Sequence, residues 1–319
     1  MAIEVRGLVK SFGDFRALSG LSFAVPRGRI AGFLGPNGSG KTTTLKLLLG
    51  LLRPDSGTVK LLGEEIRGSL PLTLKRKIGY LPEEPVFPEQ LTGREILALV
   101  GENYNLKDAA RGPELLALFG LERAAARKVA GYSRGMKQKL GLAAALLPNP
   151  ELLILDEPVS ALDPVGRRQA LELLAALKGK TTVLFSSHIL TDVERICQQV
   201  VVIKEGRKLA DERLTELLSR YGRVCCLKVA GDQKLAQSIL RSDEAVAALK
   251  TEGERLLATV KPGCLGSFRT RTLQRLLAAG LELCELAPDG EQLERILLKI
   301  LAEGEQDHEM RLGTEKGLA

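Results

Sequence analysis

The chain contains no Trp, and aromatic residues make up only 4% of its 319 positions. That scarcity argues against the stacked aromatic platforms on which single-stranded nucleic acid is held. Cysteine is sparse as well: Cys197, Cys225, Cys226, Cys264 and Cys284 are odd in number, scattered, and form no C-x-x-C pair. Neither a disulfide framework nor a zinc site fits that spacing, whereas a reducing compartment does. Long apolar runs are missing too. Leu140–Leu147 and Leu152–Leu155 fall far short of the roughly 20 residues that a membrane span requires. The segment Met1–Phe15 lacks an apolar stretch behind a basic start, so no signal peptide is expected. Any membrane role would then be borrowed from another chain.

What is present is ordinary in bulk. Hydrophobic residues make up 45% and charged residues 27%, which suits a globular chain of about two domains. The net charge of +7 is unevenly placed. Residues 1–222 carry 32 Lys and Arg against 24 Asp and Glu, while residues 223–319 carry 14 against 15. The basic excess of the first part is either a solvated surface or the mark of a polyanionic ligand or anionic membrane surface nearby.

Short strands are expected at Ile3–Val5 and Leu21–Val25, with turns at Gly13-Asp14 and Pro26-Arg27-Gly28. Arg29–Leu34 reads as a buried strand ending in a glycine-rich loop. Lys41–Leu49 follows as a helix with Leu45, Leu48 and Leu49 on one face, closed by Gly50. Strands at Thr58–Leu62 and Ile78–Leu81 precede a proline-punctuated loop over Pro82–Gln90. Helical periodicity then appears at Glu95–Val100, Pro113–Phe119 and Met136–Leu147. The apolar runs Leu152–Leu155 and Thr182–Phe185 flank a helix at Gly166–Leu177, as βαβ units of a parallel sheet require. Val200–Ile203 opens a hairpin that turns at Gly206. Composition shifts near Tyr221-Gly222. Beyond it, strands at Arg223–Val229, Arg255–Val260 and Leu281–Leu286 alternate with helices at Lys234–Leu249, Ser267–Ala279 and Gln292–Ala302. These make a small α+β unit, and Glu303–Ala319 reads as a charged, frayed tail.

Between a predicted strand and a predicted helix stands Gly35-Pro36-Asn37-Gly38-Ser39-Gly40-Lys41-Thr42, a match to G-x-x-x-x-G-K-[ST], with Thr43 next in line. Its glycines let backbone N–H groups converge on phosphates, and the helix starting near Lys41 adds its positive dipole end. Lys41 would place its ammonium on the β- and γ-phosphates, and the Thr42 hydroxyl would ligate Mg2+. Such a cradle needs a carboxylate to hold the metal. Leu152-Leu153-Ile154-Leu155-Asp156-Glu157 supplies it: Asp156 leaves the tip of a buried strand, and Glu157 beside it is placed to polarise the attacking water. Ser133, in Tyr132-Ser133-Arg134-Gly135-Met136, lies 23 residues before Asp156. With Gly135 it opens a helix, either as an ordinary N-cap or as a second anion site. Ser160-Ala161-Leu162-Asp163 follows the acidic pair, and His188 leaves the next apolar strand where a γ-phosphate would lie.

The ordered set resembles the ATP-binding cassette (ABC) ATPases over roughly residues 3–218: the phosphate loop (35–42), the signature sequence (132–136), the acidic strand (152–157), the D-loop (160–163) and the switch histidine, His188. The resemblance implies an α/β P-loop NTPase cassette with a mostly parallel core sheet, an antiparallel β subdomain and a helical subdomain. The domains would be residues 1–220 for ATP binding and 221–302 for an accessory α+β unit, with 303–319 as the tail. ATP and Mg2+ are the implied cofactors, with Glu157 and His188 catalytic. Phe12, in Ser11-Phe12-Gly13, would stack on adenine where Tyr is common. A head-to-tail dimer is implied as well, Ser133 of one protomer closing over the nucleotide held by Lys41 of the other. Two departures stand out. Glu83 occupies the position after Ile78–Leu81 where the family usually has a Gln that contacts Mg2+ and senses the membrane partner; a carboxylate can ligate Mg2+ but adds a charge. Tyr132, Arg134 and Met136 replace the commonest Leu, Gly and Gln of the signature, while Ser133 and Gly135 remain. Arg134 either adds phosphate attraction or is surface charge.

The C-terminal unit resembles the accessory domain that follows the cassette in some bacterial exporter ATPases, with Gln292–Leu297 similar to that family's closing helix. A part in dimerisation or regulation and a purely stabilising one are equally open. The leading expectation is the ATP-hydrolysing subunit of a transporter, an exporter by resemblance. It would pair with a separately encoded integral membrane permease and with a second ATPase subunit, as a homodimer, and would sit in the cytoplasm, peripheral on the inner face of the membrane. No nucleic acid partner is expected. The alternative is a soluble ABC-type ATPase acting on ribosomes or DNA, which only the basic charge of residues 1–222 favours. Lys41 and Asp156 stand 115 positions apart, without room for the coiled-coil insertion of DNA-repair relatives, and the second phosphate loop of translational relatives is absent. A small-molecule kinase would leave Tyr132–Met136 and His188 without a task. Lys41→Ala is expected to abolish nucleotide binding; an unchanged affinity in a titration with a fluorescent ATP analogue would contradict the reading of the loop.

Overall fold

The computed structural model describes residues 1–108, 110–220, 223–288 and 293–302. The chain divides into two compact units, Met1–Asp211 and Glu212–Ala319. In the first, β1 (Ile3–Phe12) and β2 (Phe15–Val25) pair antiparallel across the Gly13-Asp14 turn. With β4 (Ser56–Leu61) and β5 (Glu64–Glu65) they form a four-stranded sheet in the order β2-β1-β4-β5. The strands expected at Ile3–Val5 and Leu21–Val25 are the inner ends of longer ones, because the hairpin ladder carries the polar residues beyond them.

The second sheet has the order β10-β9-β3-β8-β7-β6. It comprises β3 (Ile30–Leu34), β6 (Ile78–Leu81), β7 (Leu152–Leu155), β8 (Thr182–Ser187), β9 (Gln199–Lys204) and β10 (Arg207–Arg213). β3 pairs parallel with β8 and β9, and β7 with β6 and β8. Every residue of β3, β7 and β8 is buried, which is why Ile30–Leu34, Leu152–Leu155 and Val183–Phe185 read as continuous apolar runs rather than alternating ones. Helix α1 (Lys41–Leu48) follows β3, the short α2 (Leu72–Lys75) precedes β6, and α6 (Pro164–Ala176) and α7 (Leu190–Ile196) flank β8. α3 (Gly93–Asn103), α4 (Arg111–Leu118) and α5 (Arg134–Leu146) pack against one another as a helical group. A capping box fixes the start of α3: the Thr92 hydroxyl accepts from the Glu95 N–H, and the Glu95 carboxylate accepts from the Thr92 N–H. Asp163 caps α6 ahead of Pro164. Phe23 and Phe33, with ring centroids 5.3 Å apart, join the two sheets through a shared core.

In the second unit α8 (Leu214–Arg220) precedes β11 (Arg223–Ala230), α9 (Gln233–Arg241), β12 (Val246–Glu252), β13 (Arg255–Val260), α10 (Leu265–Ala278) and β14 (Glu282–Pro288). The sheet order is β12-β13-β11-β14. Cys225, Leu227 and Val229 alternate along β11 into a core with Leu240, Phe268 and Leu276. Residues 293–302 form a further helix. One expectation fails: Lys234–Leu249 is not a single helix. α9 ends at Arg241, and Val246 begins a strand paired with β13. The Asp243 carboxylate accepts from the Ala245 N–H and turns the chain, while the apolar run that follows suits either element until the edge of β13 recruits it. The division before α8 also falls earlier than the composition shift at Tyr221-Gly222. The expected tail and Gln292 lie outside the described residues. Among the described residues no helix is long and apolar enough to cross a membrane.

The helical group meets the central sheet at Gly79 of β6. A Cβ there would sit 2.1 Å from the Ala145 carbonyl oxygen of α5 and 2.8 Å from Leu153 Cδ1. Gly79→Ala is expected to lower stability by about 1–3 kcal/mol; an unchanged urea midpoint would contradict this contact.

Candidate active site

Parallel register brings four strand ends to one edge. Leu34 lies opposite Ser187, Leu155 opposite Phe185, and Leu81 opposite Leu155. Whatever follows β3, β6, β7 and β8 therefore converges there. The cleft at that edge has a volume of about 680 Å3. Gly35, Pro36, Asn37, Gly38, Gly40, Lys41, Thr42, Thr43, Glu83, Asp156, Glu157 and His188 line it, and Phe15 and Ala17 form part of its wall.

Lys41 is only 8% exposed, and its ammonium donates to the carbonyls of Gly35 (2.7 Å) and Pro36 (3.2 Å). Burial pushes its pKa down, and the carboxylates of Glu157, Asp156 and Glu83 oppose that shift. A cation desolvated in this way gains strongly from a polyanion placed beside it. The loop closes tightly on the neighbouring hairpin: Gly40 has φ 101°, and a Cβ there would lie 2.7 Å from Leu18 Cδ2. Within the loop Ser39 is buried, its Oγ without a hydrogen-bond partner among the described residues.

Asp156 is 1% exposed at the end of β7. The Ser186 hydroxyl donates to its Oδ1 (2.6 Å) and accepts from the Glu157 N–H (2.8 Å), so one serine on β8 fixes both acidic residues. Asp156 Oδ2 has no hydrogen-bond partner among the described residues. Glu157 has φ 47°, left-handed backbone that costs a non-glycine residue about 1–2 kcal/mol. Its Oε2 lies 2.8 Å from His188 Nδ1. Tyr80, on β6, is pushed up to about 12 by burial and by the Asp156 carboxylate, and its phenol stays neutral.

Not every expected residue reaches the cleft lining. Ser133 N-caps α5, its Oγ accepting from the Met136 N–H at 3.2 Å, and neither it nor Gly135 lines the cleft. Tyr132 is buried and donates its hydroxyl to the Ala124 carbonyl. Arg134 pairs with Glu84 at 3.0 Å, and Lys137 with Glu89 at 3.7 Å, so α5 is bridged to the loop that contains Glu83. Phe12 ends β1 opposite Phe15; Lys10 Nζ stands 5.4 Å from its ring centroid, and it lies outside the lining. Phe15 and Ala17 share one face of β2, a signal that is readable only once the strand is known to begin at Phe15. Ser186 carried no more signal than a polar residue closing an apolar strand.

The pattern that defines the ABC transporter family matches residues 18–160. The chain is 46% identical over 218 residues to the uncharacterized ABC transporter ATP-binding protein YxlF of Bacillus subtilis, spanning 67% of this chain and 72% of that one. This chain belongs to the ABC transporter ATP-binding proteins. Nod factor export ATP-binding protein I of Paraburkholderia xenovorans is 38% identical over 266 residues, 81% of this chain and 86% of that one. A solved dimeric ATP-binding cassette in a post-hydrolysis state, bound to ADP and Pi, aligns with TM-score 0.61 at 25% identity, covering 66% of this chain and 98% of that chain. The cassette is thus a P-loop NTPase that binds and hydrolyses ATP as the ATPase subunit of a transporter, and subunits of this family dimerise and work with membrane permeases.

Ser186→Ala removes two hydrogen bonds from buried partners at the centre of this ABC site. It is expected to cost about 1–3 kcal/mol; an unfolding midpoint equal to the parent's would show that Asp156 and Glu157 are held by other means.

Proposed function

We propose that the protein powers export through a separately encoded integral membrane permease, working as a head-to-tail homodimer on the cytoplasmic face of the membrane. The observation that carries the reading is the meeting of Lys41, Asp156, Glu157 and His188 in one cleft. Export is supported by the relative named for Nod factor export. Residues 1–220 would be the ATP-binding domain, and the accessory unit of residues 221–302 would serve dimerisation or regulation. No nucleic acid partner is proposed.

In this reading the N–H groups of residues 35–43 and the Lys41 ammonium bind the triphosphate, with the dipole of α1 behind them. Adenine stacks at the hairpin tip, on Phe12 with Phe15 beside it. Glu157 takes a hydrogen bond from the attacking water, and His188 holds the carboxylate in direction through its Nδ1. Thr42, Asp156 and Glu83 are the residues that would hold Mg2+, which when bound neutralises charge on the β- and γ-phosphate oxygens. The partnerless Asp156 Oδ2 fits that use. So does the donor set: among the described residues no three acidic, His or Cys side chains converge to hold a metal unaided. Mg2+ shared with phosphates needs only one or two carboxylates. Ser133 and Gly135 of one protomer cover the nucleotide held by Lys41 of the other, so ATP closes the dimer and hydrolysis opens it. The Pro82–Gln90 loop, tied to α5 through Glu84 and Glu89, passes that motion to the permease.

Glu157→Gln is expected to slow ATP turnover by about 10²–10⁴-fold and to leave an ATP-bound dimer that persists on size-exclusion chromatography. Undiminished hydrolysis in that variant would remove Glu157 from the chemistry.

A further inference from the structure

Gln138 is a polar residue in a place that does not favour one. It lies on α5, 1% exposed, among the buried positions Leu140, Gly141 and Leu142. Its Nε2 donates to the Glu157 carbonyl at 3.3 Å and to the Pro158 carbonyl at 3.2 Å. Among the described residues its Oε1 has no hydrogen-bond partner. A buried amide with one half unsatisfied is costlier than an apolar side chain of the same volume, so what its placement gains is on the donor side. That donor acts on one main-chain segment only, the turn that begins at Glu157.

The turn needs holding. Glu157 occupies left-handed backbone without being glycine, and its conformation decides where its carboxylate points. The residue is clamped at three places: its N–H on the Ser186 hydroxyl, its side chain on His188, and its carbonyl by Gln138 Nε2 at 3.3 Å, the Ser160 hydroxyl at 3.1 Å and the Ser160 N–H at 3.3 Å. The first two groups belong to β8 and the segment after it. Only the carbonyl clamp comes from a different element, α5, and from the turn itself.

We infer that Gln138 is a positioning residue for ATP hydrolysis: with Ser160 it fixes the Glu157 carbonyl, and through it the direction of the Glu157 carboxylate toward the attacking water. This rests on Glu157 acting on water, as proposed above. Gln138 is not among the residues that line the cleft, so its loss is expected to leave nucleotide binding intact and to act on the chemical step alone.

The test is Gln138→Met, which keeps volume and removes both the donor and the orphan acceptor. Turnover number is expected to fall about 10- to 100-fold, with KM for ATP and the thermal midpoint within twofold and a few degrees of the parent. In a Glu157→Gln background the same change is expected to have no further effect, because positioning a glutamine that no longer serves as base gains nothing. Ser160→Ala, at an exposed position that does not threaten folding, is expected to lower turnover several-fold at unchanged KM. The inference is overturned if a folded Gln138→Met protein turns over at the parental rate, if its loss recurs in full beside Glu157→Gln, or, should that variant not fold, if Ser160→Ala is fully active. A Glu157→Gln protein that is itself fully active would instead overturn the assignment of Glu157.

Discussion

The chemistry depends on the register of a parallel sheet. β6, β7, β8 and β3 run side by side and end within two residues of one another, so four chain segments remote in sequence leave the sheet at one edge. Slipping one strand by a single residue would turn its side chains to the opposite face and withdraw its contribution. Largely apolar strands hold that register, since each is buried along its whole length and a polar residue is accommodated only where it is hydrogen-bonded, as Ser186 is to Asp156 and Glu157. The hydrophobic core and the catalytic site are in this sense one construction.

At the edge, burial that would be unfavourable elsewhere is put to use. Lys41, Asp156 and Glu157 are almost wholly removed from water, and Ser39 Oγ and Asp156 Oδ2 have no partner among the described residues. Each is costly to bury alone. Together they form a site whose unmet interactions match what a metal-bound triphosphate brings: anionic oxygens for the ammonium and N–H groups, and a cation for the carboxylate. The strained backbone of Glu157 belongs to the same pattern, since left-handed non-glycine residues persist only where surrounding bonds over-determine them. Ser186, His188, Ser160 and Gln138 supply those bonds from several elements.

The two departures from the family pattern prove to be neighbours. Glu83 lines the cleft, and the adjacent Glu84 pairs with Arg134, the unusual residue of the signature. Both partners are largely exposed, so the pair adds little stability and is easily exchanged for another anion. Tyr132 is accounted for by packing: its ring is buried and its hydroxyl satisfied by Ala124.

The sequence by itself determined the elements with strong local signatures. Glycine spacing identified the phosphate loop, apolar runs identified β3, β7 and β8, and the acidic pair at the end of one run located Asp156 and Glu157, the carboxylates proposed to serve the metal and the water. These are legible because backbone geometry and burial each demand a particular residue type at a particular spacing. Tertiary structure decided the rest. An Ala-rich run between Ala245 and Leu249 suits helix and strand alike, and the neighbouring edge of β13 chose strand. Phe15 joins the cleft wall, and Phe12 does not line it, because of how the hairpin lies against the loop. Ser186 and Gln138 are single polar residues in apolar surroundings, with no spacing to mark them. Their roles arise only when β8 and α5 pack around the turn at Glu157, since a hydrogen bond between residues far apart in the chain leaves no periodic trace in the sequence.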